Sequence, residues 1–171
     1  MAAAGRDVAT SRAVVRLIGT AVRITRALDE ALAPAGLSIR QFMVLMELAS
    51  APDGTLPLTE LMVRSQSSAP NMSALISRMD RAGLVRKRRR EDDQRLVTVA
   101  ITESGWNRLG DGAPLVIATE TGLTRPLSRG QLRELTRLLA KLSPSRGEAR
   151  SVRDPGKSGR DAAVLEDPKT T

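Results

Sequence analysis

The side chains with the clearest chemistry form an uninterrupted run of cations that is followed at once by acids. The run holds Arg86, Lys87, Arg88, Arg89 and Arg90. Glu91, Asp92 and Asp93 come next, and Arg95 stands two residues later. Clustered guanidinium groups bind phosphate and other oxyanions, whereas acids held among arginines at a turn are poorly placed for general acid–base catalysis. The pattern therefore predicts an anion-binding surface, and we find no nucleophile–base pair or phosphate-binding loop beside it.

A helix just before these cations has one apolar face and one small, polar face. Apolar residues recur at helical spacing, and they are Met72, Leu75, Ile76 and Met79. The opposite face carries Pro70, Asn71, Ala74, Ser77 and Arg78. Ser68 suits the N-cap and Gly83 suits the C-terminal end. An asparagine on such a face could make a bidentate contact with adenine, although a helix cap or a solvated residue is the alternative for Asn71.

Other polar residues near this helix could also bind phosphates or bases. Ser68 and Ser73 could hold phosphates or bases, with capping as the alternative for Ser68. Arg78 could reach a phosphate or pair with an acid of the following hairpin. Arg64, in the preceding short helix, could lie on a backbone phosphate.

The elements that must position these groups can be predicted from the same stretch. In residues 96–101, Val97, Val99 and Ile101 alternate with the other three residues, and all but Leu96 and Ala100 are β-branched, which predicts a strand. The cationic run is then the outgoing strand of a hairpin whose tip is residues 90–95, and residues 56–57 predict a short strand that pairs with this wing. A helix, a turn, a second helix and a basic hairpin over residues 58–102 make a winged helix-turn-helix, whose second helix fits a DNA major groove.

The flanking segments predict further helices. Residues 11–32 and 39–49 have helical patterns, and the second is expected to turn Phe42, Leu45, Met46 and Ala49 inward. Thr102 and Ser128 suit the N-caps of two later helices. Between these caps stand Gly110, Gly112 and Pro114, which predict a kink or a break.

Apolar residues in the first and last helices exceed what one small domain needs to cover. In the first helix the stripe includes Val14, Leu17, Ile18, Ala21, Leu28 and Leu32. In the last it includes Leu132, Leu135, Leu138, Leu139 and Leu142. Association of two chains would bury this surplus, and a plain monomer core is the alternative.

Composition narrows the functional classes. The 171 residues include 27 Lys and Arg against 19 Asp and Glu, so the net charge is +8, which is typical of proteins that bind nucleic acid or another anionic surface. A general bias toward arginine could also raise the charge. Without Cys or His, the chain has no disulfide, thiol switch or Cys-ligated metal and lacks the usual general base. We expect no enzyme activity, no cofactor and no metal.

Two further classes of protein are disfavoured. Trp106 and Phe42 are the only aromatic residues, which argues against binding single-stranded nucleic acid on stacked rings. No apolar run reaches the roughly 18 residues needed to cross a membrane, and the N-terminus lacks a signal-peptide h-region. We expect a cytoplasmic protein with no membrane partner.

The sequence resembles the MarR family of bacterial transcription regulators over about residues 10–142. The residues that carry the resemblance are LSIRQF at 37–42, LTEL at 58–61, RAGLV at 81–85, DQR at 93–95 and ITESG at 101–105. The order and spacing of these pieces are more specific than any one of them. One departure is Ser65-Gln66-Ser67, where the family usually has a glycine flanked by apolar residues.

The resemblance implies roles for particular residues and partners. Arg95 reaches the minor groove while Asp93 holds the arginines of the wing in place, with a solvated charged turn as the alternative for both. The first and the last two helices interlock to form a homodimer. Small phenolic or lipophilic effectors bind between the dimerisation helices and the DNA-binding lobe, and the lack of Cys excludes a sensor of thiol oxidation.

We therefore predict a mainly α protein with a small β-wing, a winged helix-turn-helix with N- and C-terminal helices forming a dimerisation domain. Residues 1–9 and 143–171 are predicted to be disordered, 37–102 to form the DNA-binding lobe, and 10–34 with 103–142 to form the dimerisation helices. The predicted function is sequence-specific binding of double-stranded DNA by a ligand-responsive, homodimeric repressor on a palindromic operator. The alternative is a winged-helix module that binds an acidic protein. The predicted DNA contacts are Arg64, Ser68, Pro70, Asn71, Ser73, Arg78, Arg86, Lys87, Arg88, Arg89, Arg90, Asp93 and Arg95.

Overall fold

The structure is a computed structural model that describes residues 8–89 and 97–142, with the side chain of Arg89 left out. In chain order its elements are α1 (Val8–Leu32), a short 3-10 turn (Ala33–Ala35), α2 (Ile39–Ala49), β1 (Thr55–Pro57), α3 (Leu58–Arg64), α4 (Ala69–Arg81), β2 (Val85–Arg89), β3 (Val97–Ile101), α5 (Glu103–Thr124) and α6 (Arg129–Leu142). The predicted fold class, mainly α with a small β-wing, is confirmed. The chain divides into two units, Met1–Arg125 and Pro126–Thr171.

The core of the first unit joins α2, α3 and α4 to the sheet. Its fully buried side chains include Leu32, Leu45, Leu48, Leu61, Met72, Ile76, Met79, Val85 and Val99. The whole predicted apolar face of α4 is buried. In α2 the inward position predicted for Met46 is wrong, because this side chain is 54% exposed. The buried arc of α2 is centred on Leu45 and Leu48, and Met46 lies at its edge toward solvent.

The sheet contains the predicted hairpin and the predicted third strand. Its order is β1-β3-β2, and both pairs are antiparallel. Thr55 pairs with Ala100, and Lys87 pairs with Val99. Residues 90–96 lie outside the described residues, and so do the predicted tip at 90–95 and its predicted contacts Arg90, Asp93 and Arg95.

Helix α5 runs without interruption from Glu103 to Thr124, so of the predicted kink or break the break is wrong, and the kink stays a prediction. Pro114 lies inside the helix. Glycines allow α5 to lie close to its neighbours: a Cβ on Gly112 would be 2.9 Å from Leu32 Cδ2 and 3.1 Å from Phe42 Cδ2. This packing against the core outweighs the local preference of glycine and proline against helix.

Helix α1 begins at Val8, inside the stretch predicted to be disordered. Within its unit only Leu28 and Leu32 of α1 are buried, and the apolar side chains before them are open, as shown by Val22 at 62% exposure. The remainder of the predicted disordered ends, residues 1–7 and 143–171, lies outside the described residues.

Helix α6, in the second unit, has no buried residue. Ser128 caps it as predicted, because its Oγ accepts from the N–H of Gln131 while its own N–H donates to the Gln131 side chain. Four leucines of the stripe are exposed, namely Leu135, Leu138, Leu139 and Leu142, and Leu132 is half-buried.

In the part of the chain that the structure describes, no individual helix has both the length and the apolar composition to cross a membrane. The bent pair Val8–Ala35 and Ile39–Ala49, which meet at 74°, passes this test only when taken together.

Two glycines of α5 test how its start is fixed. A Cβ on Gly105 would collide with the carbonyl oxygen of Leu84, whereas a Cβ on Gly110 would meet nothing within 4 Å. We expect Gly105→Ala to lower the free energy of unfolding by about 1–3 kcal/mol through overpacking. Gly110→Ala should raise it by about 0.5–1 kcal/mol, because alanine favours helix. Urea unfolding at one protein concentration measures both, and equal effects of the two changes would contradict the proposed contact.

Candidate nucleic-acid interface

Helix α4 presents the polar face that the sequence predicts. It has 13 residues, and a helix of that length extends about 20 Å. Pro70, Asn71 and Arg78 are exposed, and Ser73 is half-buried at the edge of this face. The described residues offer Arg78 no ion pair. The face therefore combines a hydrogen-bonding amide, hydroxyl groups and a cation on a narrow, small-residue surface that can approach a groove closely.

Ser68 stands at the N-cap of α4, as predicted, but it does not cap the helix with its side chain. Its backbone is extended, with φ −71° and ψ 151°, and its hydroxyl makes no cap hydrogen bond. The side chain is exposed. Of the two roles considered for Ser68, capping is therefore absent, and the hydroxyl is open to a ligand.

Arg64 lies at the end of α3 in a network of acids rather than alone at the surface. Its Nη2 is 2.6 Å from Glu60 Oε1, and its Nη1 is 3.2 Å from Ser50 Oγ and 3.6 Å from Glu47 Oε2. The hydrogen bond to Glu60 is the main reason that the pKa of Arg64 is raised above its usual value. The guanidinium therefore links α3 to the end of α2, a role that the sequence pattern did not predict. A phosphate contact by Arg64 stays a prediction and would have to share these donors.

The strand β2 separates the wing cations onto two faces of the sheet. Arg86 and Arg88 are exposed on the outer face, where they line an open cleft of about 490 Å³ with Thr55, Thr98 and Ala100. Val85, on the other face, is buried, and Lys87 is half-buried. The side chain of Arg89 lies outside the described residues. Neighbouring cations therefore cannot all meet the same surface, as the strand alternation predicts.

Hydrogen bonds fix β2 to the end of α4. The N–H of Lys87 donates to Asp80 Oδ1 at 3.0 Å. The helix ends in a Schellman motif, in which Leu84 N–H donates to Met79 O at 2.9 Å and Gly83 has φ +71°. Sequence reasoning identified Gly83 but missed Asp80, whose position as the next-to-last residue of α4 gave no separate signal.

Thr102 joins the same region to α5. Its Oγ1 lies 2.6 Å from the carbonyl oxygen of Gly83 and 3.0 Å from that of Leu84, to which it can donate. The same oxygen accepts from the N–H of Gly105 at 3.0 Å, which confirms the predicted cap. The end of α4, the start of β2 and the start of α5 are thus bound at one point.

The described residues contain no group of three or more His, Cys, Asp or Glu side chains that could hold a metal ion. The described parts of α4 and the wing carry exposed amide, hydroxyl and guanidinium groups. Such groups bind the phosphates and base edges of a nucleic acid.

Comparison with known proteins identifies the same lobe. Residues 35–96 match the family model described as MarR family. The HTH-type transcriptional repressor YetL of Bacillus subtilis (strain 168) is 28% identical over 108 residues, which are 63% of this chain and 65% of that protein. The match thus spans slightly less than two thirds of the curated relative.

Two solved structures illustrate the likeness in fold. A mutant MarR from E. coli, complexed with operator DNA, is 25% identical with a TM-score of 0.71, over 81% of this chain and 100% of that one. The organohalide-sensing regulator RdhR-CbdbA1625, in its 2,4-dichlorophenol bound form, has a TM-score of 0.77 at 20% identity, over 92% of this chain and 98% of that one.

Proposed function

The chain belongs to the MarR family of transcriptional regulators, and from that premise we propose that it is a homodimeric repressor that binds a palindromic operator in double-stranded DNA. The family and the curated relative that it matches are transcriptional regulators, in agreement with the expectation that the chain is not an enzyme. Specific binding, repression and response to an effector are the parts that we propose.

The exposed polar face of α4 beside the cations of β2 is the observation that carries this proposal. We assign base reading to Asn71, support to Ser68, Pro70, Ser73 and Arg78, and phosphate contacts to the cations of the wing. Selection of bound fragments from genomic DNA by the purified chain tests the assignment. Enrichment of one near-palindromic sequence is expected, and equal retention of heparin and duplex DNA would instead favour a general polyanion-binding module.

The dimer is proposed from the apolar side chains left open on α1 and, in the other unit, on α6. A second copy would bury them, and two-fold symmetry would place two α4 helices about 34–36 Å apart for successive major grooves. As an effector we propose a small phenolic or lipophilic molecule, and we assign no identity to it.

The apolar face of α1 provides a test of the dimer. We expect the wild-type chain at micromolar concentration to scatter light as twice its 18.4 kDa mass. Ile18→Asp should shift it toward monomer, because a charge would be buried in the interface. Val63→Asp, at a side chain that is 64% exposed on α3, is the matched control and should leave the dimer intact. A wild-type chain found only as monomer would overturn the proposal.

Asn71 provides a test of base reading. Asn71→Ala should weaken binding to the selected operator more than binding to random duplexes, since one bidentate base contact contributes about 1–3 kcal/mol of discrimination. Fluorescence anisotropy with both duplexes gives the ratio. An equal loss on the two would show that Asn71 reads no base.

The wing provides a test of phosphate contacts. Arg88→Ala should weaken binding to the selected and the random duplex alike. It should also make the slope of log K against log salt about 0.9 less steep, as expected for one lost phosphate contact. Arg95→Ala is expected to act in the same way. Arg89→Ala is the alternative to Arg88→Ala, because neighbouring residues of a strand face opposite sides of the sheet and only one of the two is expected to contact DNA. Circular dichroism and light scattering should show unchanged helix content and dimer.

Asp93→Ala should also weaken DNA binding, although it removes a negative charge. If Asp93 positions arginines, its removal should lower the affinity for DNA. If it is only a solvated acid near DNA, its removal should raise the affinity, because its repulsion of the phosphates disappears. Tighter binding by Asp93→Ala at physiological salt would therefore rule out the positioning role.

A further inference from the structure

The turn between α3 and α4 contains a backbone conformation that, elsewhere in the described part of the chain, only glycines adopt. Gly36, Gly54 and Gly83 have φ values of +67°, +67° and +71°. Gln66, with φ +47°, is the one residue other than glycine with positive φ among the described residues. An L-residue in this left-handed region is less stable than glycine, because its Cβ approaches the following carbonyl oxygen.

The local hydrogen bonds show why the conformation is required. The N–H of Ser67 donates to Met62 O at 3.1 Å and that of Gln66 to Val63 O at 3.2 Å, which is the Schellman ending of α3. The same two bonds end α4, where Gly83 takes the left-handed position. The chain therefore uses two copies of one motif, with glycine in one and glutamine in the other.

The interior of the protein gives no reason for this glutamine. Its side chain is exposed, and its amide makes no hydrogen bond to the described residues. It precedes Ser68 by two positions and Asn71 by five, at the entrance to the helix to which we assign base reading. A residue kept in a sparsely populated conformation without internal compensation indicates a function for its side chain.

We propose that the Gln66 amide is a DNA contact, which donates hydrogen bonds to a phosphate oxygen or to a base edge beside the start of α4. This rests on the proposed DNA binding. An amide has two N–H donors and a carbonyl acceptor, so both kinds of partner suit it, and it can contact a phosphate without adding charge.

The test uses the full-length chain and two duplexes, one that the wild-type chain enriches from a pool of random sequences and one unselected. Gln66→Gly should raise the midpoint of thermal unfolding, because the backbone strain is removed. It should also lower the affinity for the enriched duplex about three- to tenfold, as expected for the loss of one hydrogen bond. Gln66→Glu keeps the size and the backbone but replaces donors with a negative charge, and it should weaken binding further.

Gly83→Gln is the matched control. A Cβ there meets nothing within 4 Å, so this change adds the same backbone strain in the same motif, and its thermal midpoint should fall. Opposite shifts in the midpoints of Gln66→Gly and Gly83→Gln establish the strain independently of DNA.

The outcomes separate the two proposals. Failure of the wild-type chain to enrich or bind any duplex overturns the proposed function and this inference with it. Wild-type binding combined with unchanged affinity in Gln66→Gly, or with a lower midpoint in that variant, overturns the inference alone. If Gln66→Gly loses affinity for the enriched duplex only, the contact is to a base. If it loses affinity equally for both duplexes, the contact is to a phosphate.

Discussion

The contact between Gly105 and the backbone of Leu84 is the constraint on which the DNA-binding lobe depends. Because residue 105 has no Cβ, the first turn of α5 can lie against the chain where α4 gives way to β2. Thr102 adds hydrogen bonds to Gly83 and Leu84 at the same point. The far end of α4 and the root of the wing therefore share one support. A rotation of the first turn of α5 would therefore act on both, because Gly105 and Thr102 contact the residues that join them.

The sequence was sufficient to predict the elements and caps whose interacting residues lie close together along the chain. The four buried residues of α4 follow from helical period, and the β-branched residues predict the strand β3; both elements are present in the structure. Ser128 and Thr102 were predictable as caps because their partners are three residues away. Local periodicity determines such features before any tertiary contact is made.

Features that depend on distant contacts could not be predicted in the same way. Met46 fits an apolar stripe in α2, but the position of α3 and the sheet decides which arc is covered, and Met46 falls outside it. α5 continues through its glycines and Pro114 because Leu32 and Phe42 pack against Gly112. Arg64 meets Glu47 and Ser50, which are more than ten residues earlier, so its role as a link between helices has no signal in the local sequence.

The order of strands has a consequence for solubility. β2 pairs with β3 on one side only, so it is the edge strand of the sheet, and its other side could accept a strand from another molecule. The chain blocks this approach in two ways: the N–H of Lys87 is already bonded to Asp80, and consecutive cations repel an identical strand. The charge that we assign to DNA contact thus also protects the free protein from aggregation. Replacing these cations would then affect the solubility of the protein as well as its affinity for DNA.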